Sequence, residues 1–329
     1  MSALRFRRTV ALLAVGALAL SSCLHAEAEA DELQPVQFNP GWFPSAQFAG
    51  VFVAIDAGLM TEAGLAVTEG TFAYGQNSTA LLQQDLTTPT LATIEGYILL
   101  QKLDRGDDLV ALAPMLRESP AGVMSLAESN ITSAADFAHQ PIGVHAYADA
   151  LFHWFATAAG GLSEDEINFV RVEDDIADLL SGHVVAMQGY ASEEYVRLQS
   201  AAAPRETRFI SFAALGFRSY SEILYTSRDQ WEQHGPVLQR FVQAVRAGWE
   251  LAYREPELAV KAVAQRRGPD ADPEHIAAAL QALRPYVLGD DGHALPPMDA
   301  DLWRNLQTIA SEIGLIQNTP ADPTTWLAP

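Results

Sequence analysis

The stretch VQFNPGWFPSAQFAGVFVAIDAGLMTEAGL, Val36–Leu65, indicates the fold because it places a strand, an aromatic loop, a helix and a glycine turn in succession. Val36–Phe38 is β-prone, and two prolines and a glycine then end it. Gln47–Asp56 carries apolar residues at the i, i+3, i+4, i+7 spacing of a helix. Trp42 and Phe43 are therefore predicted to lie on a loop at the carboxyl end of a strand.

Short strand and helix patterns alternate through the next two thirds of the chain, which is typical of layered α/β proteins. Strands are predicted at Leu65–Thr71, Thr90–Ile94, Val110–Met115, Gly122–Leu126, Pro141–Val144, Ile167–Val172, Val184–Gln188, Arg208–Phe212 and Ile223–Thr226. Helices are predicted between them at Ser78–Leu86, Glu95–Leu103, Ser133–Phe137, Asp149–Ala159, Ile176–Ser181 and Ser192–Ala201. The C-terminal third is helical, and its strongest pattern, Pro236–Arg254, is predicted to begin at its proline.

The 329 residues are 49% hydrophobic and 19% charged, which indicates a globular chain long enough to bury two cores. The formal charge is −21, and removal of residues 1–22 takes away three arginines and no acid, which gives about −24. That charge argues against nucleic acid or anionic membrane as a partner, and mildly against an anionic ligand. An acidic solvated surface explains it without any ligand.

The N-terminus is predicted to be an export signal, with three arginines before the apolar run Thr9–Leu20. Leu20–Cys23, LSSC, matches a lipobox, in which Cys23 becomes the lipidated first residue of the mature chain. The alternative is a soluble periplasmic protein cut after Ala28 or Ala30. Cys23 is the single cysteine, so neither a disulfide nor a cysteine metal site is predicted.

Several motifs in this chain occur in a fixed order. The first stretch fits the frame W-x-P-x-x-x-H-x-G followed by G-x-x-x-x-x-G-L, and Ser119-Pro120 follows a strand. Gly189–Glu194 reads GYASEE, and Phe241–Trp249 reads FVQAVRAGW. In this order they resemble the NMT1/THI5-like group of periplasmic solute-binding proteins, which includes formyl-aminopyrimidine binders of thiamine-precursor ABC transporters.

Three positions depart from that family pattern. Phe48 stands where the family often has histidine, which removes a hydrogen bond and adds an aromatic face. Tyr195 replaces the proline of the family's E-P pair, and Val185 stands where aspartate is common. The first two changes touch the expected pocket and bear on the identity of the ligand.

The resemblance implies a type II periplasmic binding protein, an α/β fold of two lobes joined by two crossing segments with a helical C-terminal extension. The crossings are expected near Leu116–Ser119 and Leu215–Tyr220. A ligand would lie in the cleft between the lobes, closed by hinge motion. The predicted organisation is a signal peptide at 1–22, a tether at 23–34, a first lobe at 35–117 and 217–329, and a second lobe at 118–216.

A small heterocycle in such a cleft needs flat apolar faces and a few polar groups. Trp42, Phe43 and Phe48 from the first stretch, with Tyr190 after a strand, are the candidate stacking residues. For each of them core packing is the alternative, which the predicted turns at Trp42 and Tyr190 disfavour.

Three acids, Glu95, Glu194 and Glu222, also follow predicted strands or aromatic turns. A carboxylate accepts paired hydrogen bonds from an amine and a protonated ring nitrogen, so these acids suit an aminopyrimidine or a cationic amine. Helix capping is the alternative role for each of them.

Other polar residues are predicted to face the cleft. Ser119 and Tyr220 lie at the crossings, and Tyr147, with His145 before it, follows a strand of the second lobe. Ser119 has a simple turn as its alternative role.

No catalytic role is predicted. The related pyrimidine synthases carry lysine and histidine in the segment that corresponds to Leu91–Leu100, whereas this chain has LATIEGYILL there. The sequence contains no G-x-S-x-G, P-loop, G-x-G-x-x-G or H-E-x-x-H motif. His145 and His153 are not spaced one helical turn apart, so neither a metal nor a cofactor is predicted.

The favoured hypothesis is a monomeric receptor that delivers a thiamine-type pyrimidine, or a related heterocycle, to an ABC permease. A sensory binding protein that presents its ligand to a membrane receptor is the first alternative. The second is a receptor for alkanesulfonate, taurine or nitrate, for which Arg218 at the second crossing is the single plausible cation.

Overall fold

The computed structural model describes residues 33–173, 176–289, 292–318 and 321–328. The predicted signal peptide at 1–22, the lipidation site Cys23 and nearly all of the tether lie outside the described residues. Gln34–Pro329 form one compact unit.

The first sheet contains five strands in the order β2-β1-β3-β10-β4. They are β1 (Gln34–Asn39), β2 (Leu65–Glu69), β3 (Thr90–Ile94), β4 (Leu109–Leu116) and β10 (Ser221–Ser227). β1 runs parallel to β2 and β3, whereas β10 runs antiparallel to β3 and β4. The last strand in sequence therefore returns to the middle of the first sheet.

The second sheet also has five strands, in the order β7-β6-β8-β5-β9. They are β5 (Ala121–Leu126), β6 (Pro141–Val144), β7 (Asn168–Arg171), β8 (Ala186–Tyr190) and β9 (Thr207–Ser211). β6 is parallel to β7 and β8, and β5 is antiparallel to β8 and β9. Both sheets are mixed.

Helices surround the sheets. Those of the first two thirds are α1 (Ala49–Asp56), α2 (Leu59–Glu62), α3 (Ser78–Gln84), α4 (Gly96–Asp104), α5 (Asp149–Trp154), α6 (Ala177–Leu180) and α7 (Glu194–Ala202). Those that follow β10 are α8 (Arg228–Arg254), α9 (Pro256–Arg267), α10 (Pro273–Val287) and α11 (Ala300–Glu312).

The main core of the first sheet lies where α1 crosses α8. A Cβ atom on Gly248 would overlap the carbonyl of Gly50, and a Cβ on Gly50 would overlap the indole of Trp249. Only glycine permits this approach. The aromatic residues Phe52, Phe241 and Trp249 fill the surrounding space with almost no exposed surface. The helix predicted from the first stretch is thus held by the helix predicted in the C-terminal third.

The two crossing segments lie side by side. The backbone N–H of Ser119 donates a 2.7 Å hydrogen bond to the carbonyl of Ser219. Ser119 itself is buried, and its hydroxyl accepts from the N–H of Ala121. The chain therefore leaves the first sheet and returns to it through one narrow connection.

Two boundaries predicted from the sequence are wrong in an informative way. α8 begins at Arg228, where the Ser227 hydroxyl caps the N–H of Gln230, and it continues through Pro236. The proline removes a single backbone hydrogen bond from a helix of 27 residues, so packing of the long apolar face outweighs it. β8 extends to Tyr190, which places that residue on the sheet instead of in a turn.

Candidate functional site

Two of the predicted acids lie next to each other on neighbouring strands. Ile94, the last residue of β3, pairs with Ile223 of β10 in antiparallel register. Glu95 directly follows Ile94 and Glu222 directly precedes Ile223, so both acids adjoin this last paired position, and the charge of Glu95 raises the pKa of Glu222. The fold therefore brings together two carboxyl groups from distant parts of the sequence.

The backbone next to this pair is tightly packed. A Cβ atom on Gly96 would lie 2.6 Å from the Ser219 hydroxyl and 2.7 Å from the carbonyl of Tyr220, so this position admits only glycine. Glu222 has φ 47°, a left-handed conformation that is uncommon for a residue with a side chain. The close packing at Gly96 and the left-handed backbone of Glu222 hold both acids in place, and both restrict the backbone conformation.

Tyr190 links the acid pair to the second sheet. Its hydroxyl donates a 3.0 Å hydrogen bond to Oε1 of Glu95, and the hydroxyl of Ser221 donates a 2.6 Å bond to the same oxygen. The other oxygen of Glu95, Oε2, is buried and has no hydrogen-bond partner among the described residues. Oε1 of Glu95 therefore has its hydrogen-bond donors, whereas Oε2 is available to accept a further hydrogen bond.

Both acids favour their protonated forms. Burial raises the pKa of Glu95 to about 7, and the hydrogen bonds from Ser221 and Tyr190 oppose that rise. Burial and the adjacent charge of Glu95 raise the pKa of Glu222 to about 8, while a hydrogen bond with Thr93 opposes it. Among the described residues, no lysine or arginine contributes to the pKa shift of Glu95 or of Glu222.

Other polar side chains lie near the pair. Burial and the charge of Glu95 also raise the pKa values of Tyr97 and Tyr190. Gln188, two residues before Tyr190 on β8, donates from Nε2 to the hydroxyl of Tyr147 over 3.3 Å. That hydroxyl also lies 2.9 Å from Nδ1 of His145. Gln188 is 4% exposed.

Glu194 has a different position from the other two acids. Its Oε2 accepts a 2.8 Å hydrogen bond from the N–H of Tyr190, and its Oε1 accepts a 3.0 Å bond from Arg197. Both oxygens are therefore occupied by groups of the protein, and Glu194 holds the end of β8 against α7. Neither acid caps its helix: Glu194 bonds the end of β8 and Arg197, and Glu95 makes no capping hydrogen bond with its side chain.

Four aromatic side chains form an exposed cluster on two loops, one after β1 and one after β2. Trp42 and Phe43 come from the first loop, and Phe72 and Tyr74 from the second. All six pairs of rings are in contact, with centroids 4.9 to 5.7 Å apart. Trp42 and Phe43 are each 41% exposed, and Tyr74 is 72% exposed. We call these four residues the aromatic cluster.

Phe72 and Tyr74 were not predicted as site residues. Their signal was the TFAYG run after a strand, in which two aromatic residues alternate before a glycine. The loop of Gly41 approaches the acid pair, because the N–H of Gly41 donates a 2.8 Å hydrogen bond to the hydroxyl of Thr93. The aromatic cluster therefore begins one residue beyond a contact with β3.

The family model for NMT1/THI5-like proteins matches residues 45–259, which is well over half of the chain. This chain belongs to the NMT1/THI5-like family. It is 27% identical over 253 residues to the formylaminopyrimidine-binding protein of Halalkalibacterium halodurans, covering 74% of each chain.

Solved structures establish the fold of this NMT1/THI5-like protein. The aliphatic sulphonate binding protein SsuA of Escherichia coli matches with a TM-score of 0.68 at 15% identity, over 89% of this chain and 97% of that one. The SsuA-type protein of Methylobacillus flagellatus matches with a TM-score of 0.65 at 16% identity, over 91% and 92%. The predicted type II periplasmic binding protein fold is confirmed.

An enzyme also has this fold. The desulfurization enzyme DSZB matches with a TM-score of 0.62 at 17% identity, over 90% of this chain and 96% of that one. At this identity the likeness concerns the fold alone, and family membership is that of substrate-binding proteins.

The side chains of three predicted ligand contacts are occupied by other parts of the NMT1/THI5-like chain. Phe48 has no exposed surface and packs against Phe52 in the core. Tyr220 packs against Trp303 of α11, and its hydroxyl accepts a 2.7 Å hydrogen bond from the N–H of Asp299. Ser119 is hydrogen-bonded to Ser219 and Ala121 at the crossing. We leave these three out of the proposed pocket.

A separate groove of about 1060 Å³ runs along α8 and the 295–298 loop. Its lining includes Trp231, Arg240, Arg246, Pro296 and Met298, and none of the predicted site residues. The described residues contain no group of three or more His, Cys, Asp or Glu side chains arranged for a metal ion. Within the same ranges, no helix is both long enough and apolar enough to cross a membrane.

Proposed function

We propose that this protein is an extracytoplasmic solute receptor that holds a small aromatic nitrogen heterocycle of the thiamine-pyrimidine type and delivers it to an ABC permease. The observation that carries the proposal is the buried pair Glu95–Glu222, contacted across the two sheets by Tyr190. A heterocycle with amino groups supplies hydrogen-bond donors to this pair, and its ring supplies a face for Trp42. The formylaminopyrimidine-binding relative agrees with such a ligand.

The same proposal includes the domain organisation and cellular form. The first lobe comprises residues 35–117 and 217–329, and the second lobe residues 118–216, with the ligand in the cleft between them. The receptor is a monomer tethered through lipidated Cys23, and it has no catalytic activity of its own.

A sulfonate, taurine or nitrate receptor is the second candidate, and the likeness to SsuA structures favours it. The charges of the site oppose it. Arg218, the expected cation, lies 3.7 Å from Glu118 and is largely exposed. Arg197 is paired with Glu194. An anion would therefore meet acidic groups, while these two guanidinium groups are already close to carboxylates.

The test is thermal melting of residues 34–329 with formyl-aminopyrimidine, hydroxymethylpyrimidine, thiamine, taurine, alkanesulfonates and nitrate. A ligand that binds the native state raises the melting temperature. We expect a rise with a pyrimidine and none with the anions. A rise with a sulfonate or nitrate alone would contradict the proposed ligand class and leave the solute-receptor fold intact.

Transport and sensing are separated by a second experiment. If the protein serves transport, membrane vesicles that contain its ABC permease should hydrolyse ATP faster when the liganded receptor is added. Stimulation of a kinase or cyclase instead of an ATPase would favour the sensory alternative.

A further inference from the structure

We propose that Glu95 and Glu222 hold a proton between them at neutral pH, and that the protonated pair recognises a neutral heterocyclic base through an edge where an amino group adjoins a ring nitrogen. This inference rests on the proposed function and specifies the chemical form of the ligand. It differs from recognition of a cation by two carboxylates.

The geometry leaves little alternative to a shared proton. Both acids adjoin the last paired position of β3 and β10, and the charge of Glu95 raises the pKa of Glu222. Glu222 is 5% exposed, and Oε2 of Glu95 is buried. Two neighbouring ionised carboxylates repel each other unless a cation intervenes. A single retained proton removes that repulsion.

Among the described residues, the groups that shift the pKa values of the pair include no lysine, arginine or histidine. Tyr97 of α4 and Tyr190 of β8 lie close enough to the pair for the charge of Glu95 to raise the pKa of each, so both are neutral phenols at neutral pH. Thr93 of β3 and Ser221 of β10 contribute hydroxyl groups. His145 is hydrogen-bonded to Tyr147.

A protonated carboxyl group presents one O–H donor beside one oxygen acceptor. An amino group adjoining a ring nitrogen presents one N–H donor beside one lone pair. The two edges fit each other with two hydrogen bonds and no net charge. A carboxylate offers acceptors only, so the ring nitrogen of a neutral base would face a lone pair and lose one bond.

A second observation points to a ligand rich in N–H groups. Oε1 of Gln188 is buried and has no hydrogen-bond partner within the described part of the chain, and Gln188 is 4% exposed. Side chains two residues apart on a strand share a face, so Gln188 lies on the same face of β8 as Tyr190, which contacts Glu95. Together with Oε2 of Glu95, this amide oxygen is a second buried acceptor in need of a donor.

The proton balance yields a distinctive pH dependence. At neutral pH the proton is already on the pair, so a neutral base binds without net uptake or release. Above about pH 8, where the last proton leaves Glu222, binding must take one proton from solvent. The affinity for a neutral base then falls about tenfold per pH unit. A cation displaces the proton instead, so its affinity rises with pH.

The experiment is isothermal titration of residues 34–329 with 4-amino-5-hydroxymethyl-2-methylpyrimidine from about pH 7 to beyond about pH 9, a range that spans the pKa of Glu222 near 8. We expect a flat affinity up to about pH 8 and a tenfold loss per unit above it. At the alkaline end, the heat should vary with the ionisation enthalpy of the buffer and report uptake of one proton.

Two variants sharpen the result. Glu222→Gln keeps an N–H donor and an oxygen acceptor but does not titrate, so its alkaline loss of affinity should be absent. Glu95→Gln tests the partner carboxyl in the same way if the first variant folds poorly. Glu257→Gln alters an exposed acid of α9 and should keep the wild-type slope.

A wild-type affinity that stays constant or rises above pH 8 overturns the shared proton, while the binding itself still supports the proposed function. Binding of a sulfonate or nitrate, with no heat from the pyrimidine at any pH, overturns both. The wild-type profile decides the question even if every variant fails to fold.

Discussion

The acid pair and the aromatic cluster contrast in burial and support. Glu95 and Glu222 lie at strand ends, are shielded from water and are fixed by register and by close backbone packing. Trp42 and Tyr74 lie on loops and expose much of their rings. Rigid strands suit the directional hydrogen bonds of a ligand's edge, whereas exposed rings suit contact with its face, which tolerates small displacements.

The contrast is tested most strongly by Glu95→Ala. This change removes the available Oε2 and leaves the hydroxyls of Tyr190 and Ser221 without their acceptor, so we expect about a hundredfold loss of pyrimidine affinity. Titration calorimetry measures the loss, with Glu257→Ala as the control. A change of less than threefold would show that the acid pair does not bind the ligand.

Glu194→Ala should weaken binding at least tenfold without unfolding the protein. Glu194 accepts from the N–H of Tyr190, so its loss frees the end of β8 that carries the hydroxyl in contact with Glu95. Arg197→Ala, which removes only the exposed ion pair, is the matched control and should cost much less. Equal effects of the two variants would indicate an electrostatic role in place of a positioning one.

Trp42→Ala should also weaken binding by about tenfold, because stacking on an aromatic face contributes roughly 1 kcal/mol or more beyond area burial. The melting temperature should stay nearly unchanged, since the ring is 41% exposed. Trp231→Ala, in the separate groove, is the control. Unchanged affinity in both Trp42→Ala and Glu194→Ala would refute the pocket assignment.

The smallest expected effect is on stability. Both acids have a pKa raised above the ordinary value of 4.5, so the native state binds more protons than the unfolded chain between about pH 5 and pH 8. The free energy of unfolding should therefore fall as pH rises through that window. Thermal melts should show a drop of several degrees that is smaller in Glu222→Gln. A melting temperature that rises over the same window would contradict the raised pKa values.

Much of the fold could be predicted from local signals. β3 and β6 have their predicted boundaries because strong breakers and buried apolar runs define both ends. The start of α8 was missed because Pro236 is a strong local signal for a helix start, whereas the Ser227 cap and the packing of the preceding turns depend on tertiary structure.

The candidate site was only partly predictable. Glu95 and Glu222 were each recognised as candidates, but their pairing depends on how β10 inserts beside β3, which local patterns do not encode. Phe48 was expected in the pocket, yet its helical spacing with Phe52 is equally typical of a core residue, and the structure places it there. The contact between Tyr190 and Glu95 joins the two sheets, so it could not be predicted without knowing how both sheets are placed.

The bond between Tyr190 and Glu95 has a kinetic consequence. A phenol tethered to the second sheet acts as an internal competitor, present at a high effective concentration wherever the two sheets are close. A solute that binds here must therefore displace the Tyr190 hydroxyl from Oε1 of Glu95, or share that oxygen with it, before it can stay bound. Under the proposed function, weakly binding molecules would lose this competition and leave quickly, so residence time as well as shape would select the solute.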